Sequence, residues 1–132
     1  MKSQVRVSFE VLDFEGLPSD ITNVLGVRPT KTWRKGDRIQ KSALLEKENG
    51  WSLESDKAPA EQLSELIRGV VASLKGSREK LAILSKNCYT QLSLVLYVHG
   101  DERPELHLDA DIVQRLAELG AHVDADMYFL SS

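Results

Sequence analysis

The strongest architectural signal in the chain is the segment YTQLSLVLYVH, residues Tyr89–His99. Leu92, Leu94, Leu96 and Val98 occupy alternate positions, the period at which strand side chains share one face. The positions between them are also partly apolar, which is typical of a strand with neighbours on both sides. The segment therefore predicts a central strand of a β-sheet.

Further strands are predicted on both sides of this segment. The N-terminus alternates between apolar and polar residues, which predicts a half-buried strand; its apolar positions are Val5, Val7, Phe9 and Val11. Residues 30–39 read as a strand bent near Gly36, residues 40–49 as a solvated loop, and residues 50–55 as another strand. In the last predicted strand Val123, Ala125, Met127 and Phe129 are expected to point inward.

Helical patterns separate these strands. A short helix is predicted between Pro18 and Gly26, and the longest helix begins near Ala58 and breaks at Gly76-Ser77. A third helix follows Asp109, its predicted N-cap, and ends at Gly120. The order predicts an α+β fold in which two strand-helix-strand units form a mainly antiparallel or mixed sheet, with helices on one face, as a ferredoxin-like variant. We expect residues 1–132 to form one domain.

Charge is unevenly distributed along the chain. The net charge is −3, but the stretch from Arg28 to Lys41 holds six basic residues against Asp37 alone. The stretch from Asp101 to Asp126 holds eight acidic residues against two arginines. The overall balance disfavours general nucleic-acid binding, whereas the basic run favours an acidic partner.

Several classes of protein are disfavoured by the sequence. Cys88 is the only cysteine, which rules out an internal disulfide and two-cysteine redox or zinc motifs. The alternating N-terminus does not resemble a signal peptide, and no apolar stretch approaches the length of a membrane span. We expect a cytoplasmic protein that does not contact membranes.

Both tryptophans lie in short signatures, KTWRKGD at residues 31–37 and GWSL at residues 50–53. Two tryptophans on neighbouring segments indicate either a buried corner or a binding ledge. We expect at least one of Trp33 and Trp51 to be largely buried.

These signatures, in their order along the chain, resemble a bacterial family called domain of unknown function 4279. The resemblance rests on Leu25-Gly26-Val27 with Pro29, on Trp33 to Gly36, on Gly50-Trp51-Ser52 and on Leu119-Gly120. It extends over nearly the whole chain. It implies a small bacterial cytoplasmic protein and supplies no catalytic residue.

The sequence offers weak candidates for catalysis or metal binding. His99, His107, Asp109 and Asp111 carry donor types that bind divalent metals, but their spacing matches no standard site. Asp109 and Asp111 are better explained as the start of a helix. We therefore predict no metal and no cofactor, and we expect Cys88 to be a packing residue.

The basic run around Trp33 is the best functional candidate, although its side chains are also expected from a solvated hairpin that pairs with the acidic half of the chain. The predicted binding residues are Trp33, Arg34, Lys35, Arg38 and Trp51. They favour a non-catalytic interaction module, immunity-like or accessory, that binds an acidic protein surface; a homodimer is left open. The alternative is a small-molecule or nucleotide-related enzyme with a site near Arg34, Trp51 and residues 99–111.

Overall fold

The computed structural model describes residues 2–131, which form a six-stranded mixed sheet with four α-helices on one face. The elements in chain order are β1 (Gln4–Leu12), α1 (Pro18–Leu25), β2 (Lys31–Trp33), β3 (Gly50–Glu54), β4 (Ala58–Pro59), α2 (Leu63–Ser73), α3 (Arg78–Leu84), β5 (Tyr89–His99), α4 (Ala110–Glu118) and β6 (His122–Leu130). The strand order is β2-β3-β1-β5-β6, and the short β4 also pairs with β1. The prediction of an α+β fold with a mixed sheet is confirmed.

The two predicted strand-helix-strand units are β1-α1-β2 and β5-α4-β6. In the second unit β5 and β6 are parallel neighbours, so the chain must cross over between them and carries α4 on the way. In the first unit β3 lies between β1 and β2 and is antiparallel to both, so β2 runs parallel to β1. The two units meet at the antiparallel pair of β1 and β5 in the centre of the sheet.

The core lies between this sheet and the helices. The alternating apolar side chains of β1 and β5 share the helix-facing side and are buried, and Trp51 of β3 is in register with Val11 on the same side. The helices contribute the other half of the core, with Ile67, Leu74, Leu81, Ile112 and Leu116 among the buried side chains. The period-2 and helical patterns of the sequence therefore meet in one apolar layer.

The long middle segment forms two helices rather than one. A 3₁₀ turn at Ala60–Gln62 precedes α2, and a second at Lys75–Ser77 separates α2 from α3. The hydroxyl of the buried Ser77 donates to the carbonyl of Leu25, with an O–O distance of 2.7 Å. The sequence predicts a helix break at Gly76-Ser77, and this bond holds the turn at that break against the end of α1.

Two strand predictions are wrong in detail. The strand predicted over residues 30–39 ends at Trp33, because the Asp37 carboxylate accepts the backbone N–H of Arg34 and turns the chain. The apolar residues of β6 do not point into the core; every residue of that strand is exposed. On the same side of the sheet, the neighbouring residues of β5 are fully buried: Leu92, Leu94 and Leu96. The helices therefore cover the sheet only as far as β5.

Candidate functional site

The basic run forms a hairpin that extends from one edge of the sheet. We define the basic hairpin as residues 31–49, which leave the sheet through β2 and return to it at Gly50. Its six basic side chains are all exposed: Lys31, Arg34, Lys35, Arg38, Lys41 and Lys47. Its three acidic residues are Asp37, Glu46 and Glu48. The hairpin therefore presents a surplus of positive charge to solvent.

Backbone hydrogen bonds hold the basic hairpin in a defined shape. The N–H of Gly36 donates to the carbonyl of Glu46 at 2.9 Å, and the N–H of Glu46 donates to the carbonyl of Asp37 at 2.7 Å. Nearer the tip, the N–H of Ile39 donates to the carbonyl of Leu44 at 2.9 Å. A surface that is already ordered loses less conformational entropy when it binds a partner.

Asn49 anchors the base of the basic hairpin to the rest of the fold. Its side-chain oxygen accepts the backbone N–H of Lys35 at 2.8 Å. Its side-chain nitrogen donates to the carbonyls of Phe14 at 2.8 Å and Gly16 at 3.2 Å, in the loop between β1 and α1. One side chain thus connects the hairpin to the start of the first helix.

Trp33 lies on the open side of the sheet, opposite the helices. It is in register with Gly50, and a Cβ added to Gly50 would fall 1.9 Å from Cε2 of the Trp33 ring. The indole therefore occupies the space that a side chain at position 50 would need. The Lys31 ammonium lies 5.4 Å from the centre of the same ring, within the range of a cation–π interaction.

Trp51 follows Gly50 directly and points to the other side of the sheet. It is 0 % exposed, and its indole N–H donates to the Thr22 hydroxyl of α1 at 3.0 Å. The expectation that at least one tryptophan is buried is therefore confirmed. From this position Trp51 cannot contact a partner, and it packs behind the edge of the sheet. The other predicted binding residues all lie in the basic hairpin: Trp33, Arg34, Lys35 and Arg38.

The basic hairpin is not neutralised by the acidic half of the chain. Within residues 2–131, none of its basic side chains forms an ion pair; the ion pairs there involve Arg68, Arg78 and His107. The acidic strand β6 lies at the opposite edge of the sheet, four strand spacings or about 19 Å from β2. This separation is about twice the screening length at physiological ionic strength, so β2 and the carboxylates of β6 barely interact.

Two apolar residues at the tip of the basic hairpin were missed by sequence reasoning. Leu44 and Leu45 are 68 % and 56 % exposed, although they belong to a structured turn. The signal was a Leu-Leu pair inside an otherwise polar loop. Contiguous exposed apolar area with a polar rim is a feature of protein-binding surfaces, and the two adjacent leucines supply such area.

Asp109 and Asp111 form a structural clamp with Arg68. The Arg68 guanidinium of α2 donates to the Asp109 carboxylate at 2.7 Å and to Asp111 at 2.9 Å and 3.0 Å. These bonds from Arg68 hold the pKa of both carboxyls below its ordinary value. Asp109 occupies the predicted N-cap position, but its side chain bonds to Arg68 and His107 instead of a helix N–H.

The described residues 2–131 contain no group of three His, Cys, Asp or Glu side chains able to hold a metal ion. His99 lies in β5 and is buried, with its Nδ1 unpaired. Trp51 and Thr90 are both in register with the same residue of β1, on either side of it. Thr90 precedes His99 by nine residues along β5, so Trp51 and His99 lie roughly 30 Å apart. The residues named for an enzyme site therefore do not converge.

Cys88 is partly buried against the core, directly before β5. Its thiol donates to the carbonyl of Leu84, with an S–O distance of 3.1 Å. Burial raises the pKa of the thiol, which keeps it protonated and weakens it as a nucleophile. These contacts agree with the packing role expected for Cys88.

Comparison with known proteins identifies the family. No helix among residues 2–131 has the length and apolar character needed to cross a membrane. Neither a curated protein nor a solved structure matches the chain. The family described as Domain of unknown function (DUF4279) matches residues 3–130, nearly the full length. The chain therefore belongs to the DUF4279 family.

Proposed function

We propose that this protein is a non-catalytic interaction module that binds an acidic protein surface through the basic hairpin. The observation that carries the proposal is the combination at the hairpin of exposed basic side chains without ion pairs and two exposed leucines. Arg34 and Arg38 offer planar guanidinium groups that bind carboxylates in pairs. Leu44 and Leu45 supply apolar area at the centre of such a contact.

The chemistry of the hairpin favours protein over nucleic acid. The chain carries a net charge of −3, so its surface outside the hairpin repels a polyanion. Leucines at the tip fit an apolar pocket with an acidic rim, whereas bases of a single strand stack on aromatic rings. The nearest ring, Trp33, is half-buried over Gly50 and paired with Lys31.

Within this proposal the biological role is immunity-like or accessory: the module neutralises or escorts its partner. A rigid hairpin with a surplus of positive charge speeds association with a negatively charged surface. The enzyme alternative receives no support from the geometry, because Trp51 is enclosed in the core and residues 99–111 lie at the other end of the sheet.

The test compares three immobilised proteins and one matched control in capture experiments from lysate of the native organism. The first is the natural chain, the second carries Arg34→Glu and Arg38→Glu, and the third carries Leu44→Ser and Leu45→Ser. A matched control carries Lys80→Glu and Arg103→Glu, which make the same charge change at exposed positions outside the hairpin. We expect both hairpin variants to lose a partner that the control retains, with unchanged thermal unfolding.

Three results would contradict the proposal. Equal capture by all proteins means that the hairpin does not bind the partner. Loss of capture together with a lowered melting temperature means that Arg34 and Arg38 are structural. A captured species that nuclease removes means that the hairpin binds nucleic acid.

A further inference from the structure

The last strand, β6, forms an uncovered edge of the sheet. It pairs only with β5 among the described elements, and the carbonyl of Leu130 accepts the N–H of Gly100 on that side. Because backbone groups alternate along a strand, the even-numbered residues of β6 face β5 and the odd-numbered residues face outward. A row of N–H and C=O groups from Val123 to Phe129 is therefore open to pairing.

The helix-facing side of β6 is apolar and also uncovered. Val123, Met127 and Phe129 are 47 %, 44 % and 76 % exposed, and the small Ala125 lies between them. The strand contains no proline or lysine, the residues that most often protect an edge. Its only charges are Asp124 and Asp126 on the open side of the sheet, and repulsion by Asp126 raises the pKa of Asp124.

We propose that β6 pairs antiparallel with β6 of a second copy of this chain, about a two-fold axis at Met127. This proposal does not depend on the proposed function of the basic hairpin. The sheets of both copies become continuous, and the two basic hairpins lie at the outer edges of the combined sheet.

The two carboxylates exclude the two neighbouring registers, with the axis at Asp126 or at Ala125. An axis at Asp126 would place Asp126 against its own copy, and an axis at Ala125 would place Asp124 against Asp126 of the other chain. Like charges directly opposite each other destabilise a strand pair. An axis at Met127 places Asp126 opposite Tyr128 and Asp124 opposite Leu130, so no carboxylate faces another.

The same register matches side-chain sizes on the helix-facing side. It places the small Ala125 opposite the large Phe129, twice, on either side of a central pair of Met127 side chains. Large and small residues on facing positions pack without voids or clashes. The strand thus complements itself in both charge and volume, which is what a two-fold interface requires.

The other edge of the sheet does not offer an equivalent partner. β2 has three residues, so pairing with β6 of another copy would leave most of the nine-residue β6 exposed. Such head-to-tail contacts also repeat without closing and produce filaments. Two-fold pairing of β6 with itself closes after two copies.

The test is sedimentation velocity of the full chain over a range of concentrations, with three variants. Ala125→Phe places two phenylalanines opposite each other and should raise the dimer Kd roughly tenfold or more, because the altered pair occurs twice. Phe129→Ala removes the large partner and should also weaken the dimer. The double variant Ala125→Phe with Phe129→Ala exchanges the two positions and should recover most of the natural Kd.

Circular dichroism of each variant verifies that it folds. A natural chain that sediments as a monomer at its highest soluble concentration overturns the proposal. A dimer whose Kd is unchanged in Ala125→Phe overturns it as well, because the copies then meet elsewhere. Failure of the double variant to recover association contradicts the register at Met127.

Discussion

The two edges of the sheet are built in opposite ways. At one edge β2 contributes three residues, and the chain then folds over itself into the basic hairpin. At the other edge β6 contributes nine residues in an extended line with every side chain exposed. At the β2 edge, Trp51 packs on the helix-facing side of the sheet and Trp33 lies on the open side over Gly50. At the β6 edge the large side chains are exposed to solvent.

The difference shows how one sheet can separate two tasks. Short strands, basic residues and covering loops prevent sheets from pairing at their edges. The β2 edge has a short strand and basic residues, and it remains free to present side chains to a different protein. The β6 edge has none of them, so its open backbone becomes the natural place for a second copy.

The largest expected effect on stability comes from Trp51, the buried residue behind the β2 edge, and is compared with that of Phe129 on the exposed β6 edge. Trp51→Ala should lower the free energy of unfolding by roughly 3–5 kcal/mol, because it empties a fully enclosed site and removes the bond to Thr22. Phe129→Ala should change it by less than about 0.5 kcal/mol in dilute, dissociated protein. Chemical denaturation measures both, and similar losses would remove the distinction between the edges.

A smaller effect tests how Trp33 covers the β2 edge. Gly50→Ala should cost roughly 1–3 kcal/mol, because the new methyl group falls on the indole of Trp33. When Trp33→Ala is already present, the same change should cost less than about 0.5 kcal/mol. A double-mutant cycle by urea denaturation gives the coupling, and additive losses would show that the ring does not occupy this space.

The smallest effect concerns the crossover that leads to β6. Arg68→Ala should lower the melting temperature slightly, since the ion pairs of Arg68 with Asp109 and Asp111 are largely exposed. Both carboxyls have a lowered pKa in the folded state. The difference in melting temperature between natural and variant protein should therefore have its full size at a pH above 3.8, the ordinary pKa of these carboxyls. It should vanish as the pH falls through the lowered pKa. Thermal unfolding from pH 7 to acid measures this, and a difference that grows in acid would contradict it.

Local patterns in the sequence were sufficient to predict most of the fold. The alternation in Val5–Val11 and in Leu92–Val98 identifies two central strands, because each places a continuous apolar row under the helices. Gly26, with φ of 70°, ends α1 as predicted, since its left-handed backbone favours glycine. These features depend on neighbours within a few residues.

Features that depend on distant parts of the chain were not predictable in the same way. Alternation in β6 looks the same as alternation in β1, and only the positions of the helices show that one is covered and the other is open. The capping preference of Asp109 is overridden by Arg68, 41 residues earlier. Of the candidate site, the basic side chains were predicted from composition, whereas Leu44 and Leu45 needed the shape of the hairpin to be recognised.

Amide hydrogen exchange, measured at increasing protein concentration, gives the most direct test of β6 pairing. It shows whether the free backbone groups of β6 bond to a second copy while those of the basic hairpin are bonded within one chain. We expect the N–H groups of Ala125, Met127 and Phe129 to exchange quickly in dilute solution and to slow as concentration rises. The N–H groups of Gly36 and Glu46, which are bonded within the basic hairpin, should exchange at rates independent of concentration. Fast exchange of the three β6 groups at every concentration would contradict the pairing of β6 with a second copy. Concentration-dependent protection in the hairpin would show that the copies meet at the β2 edge.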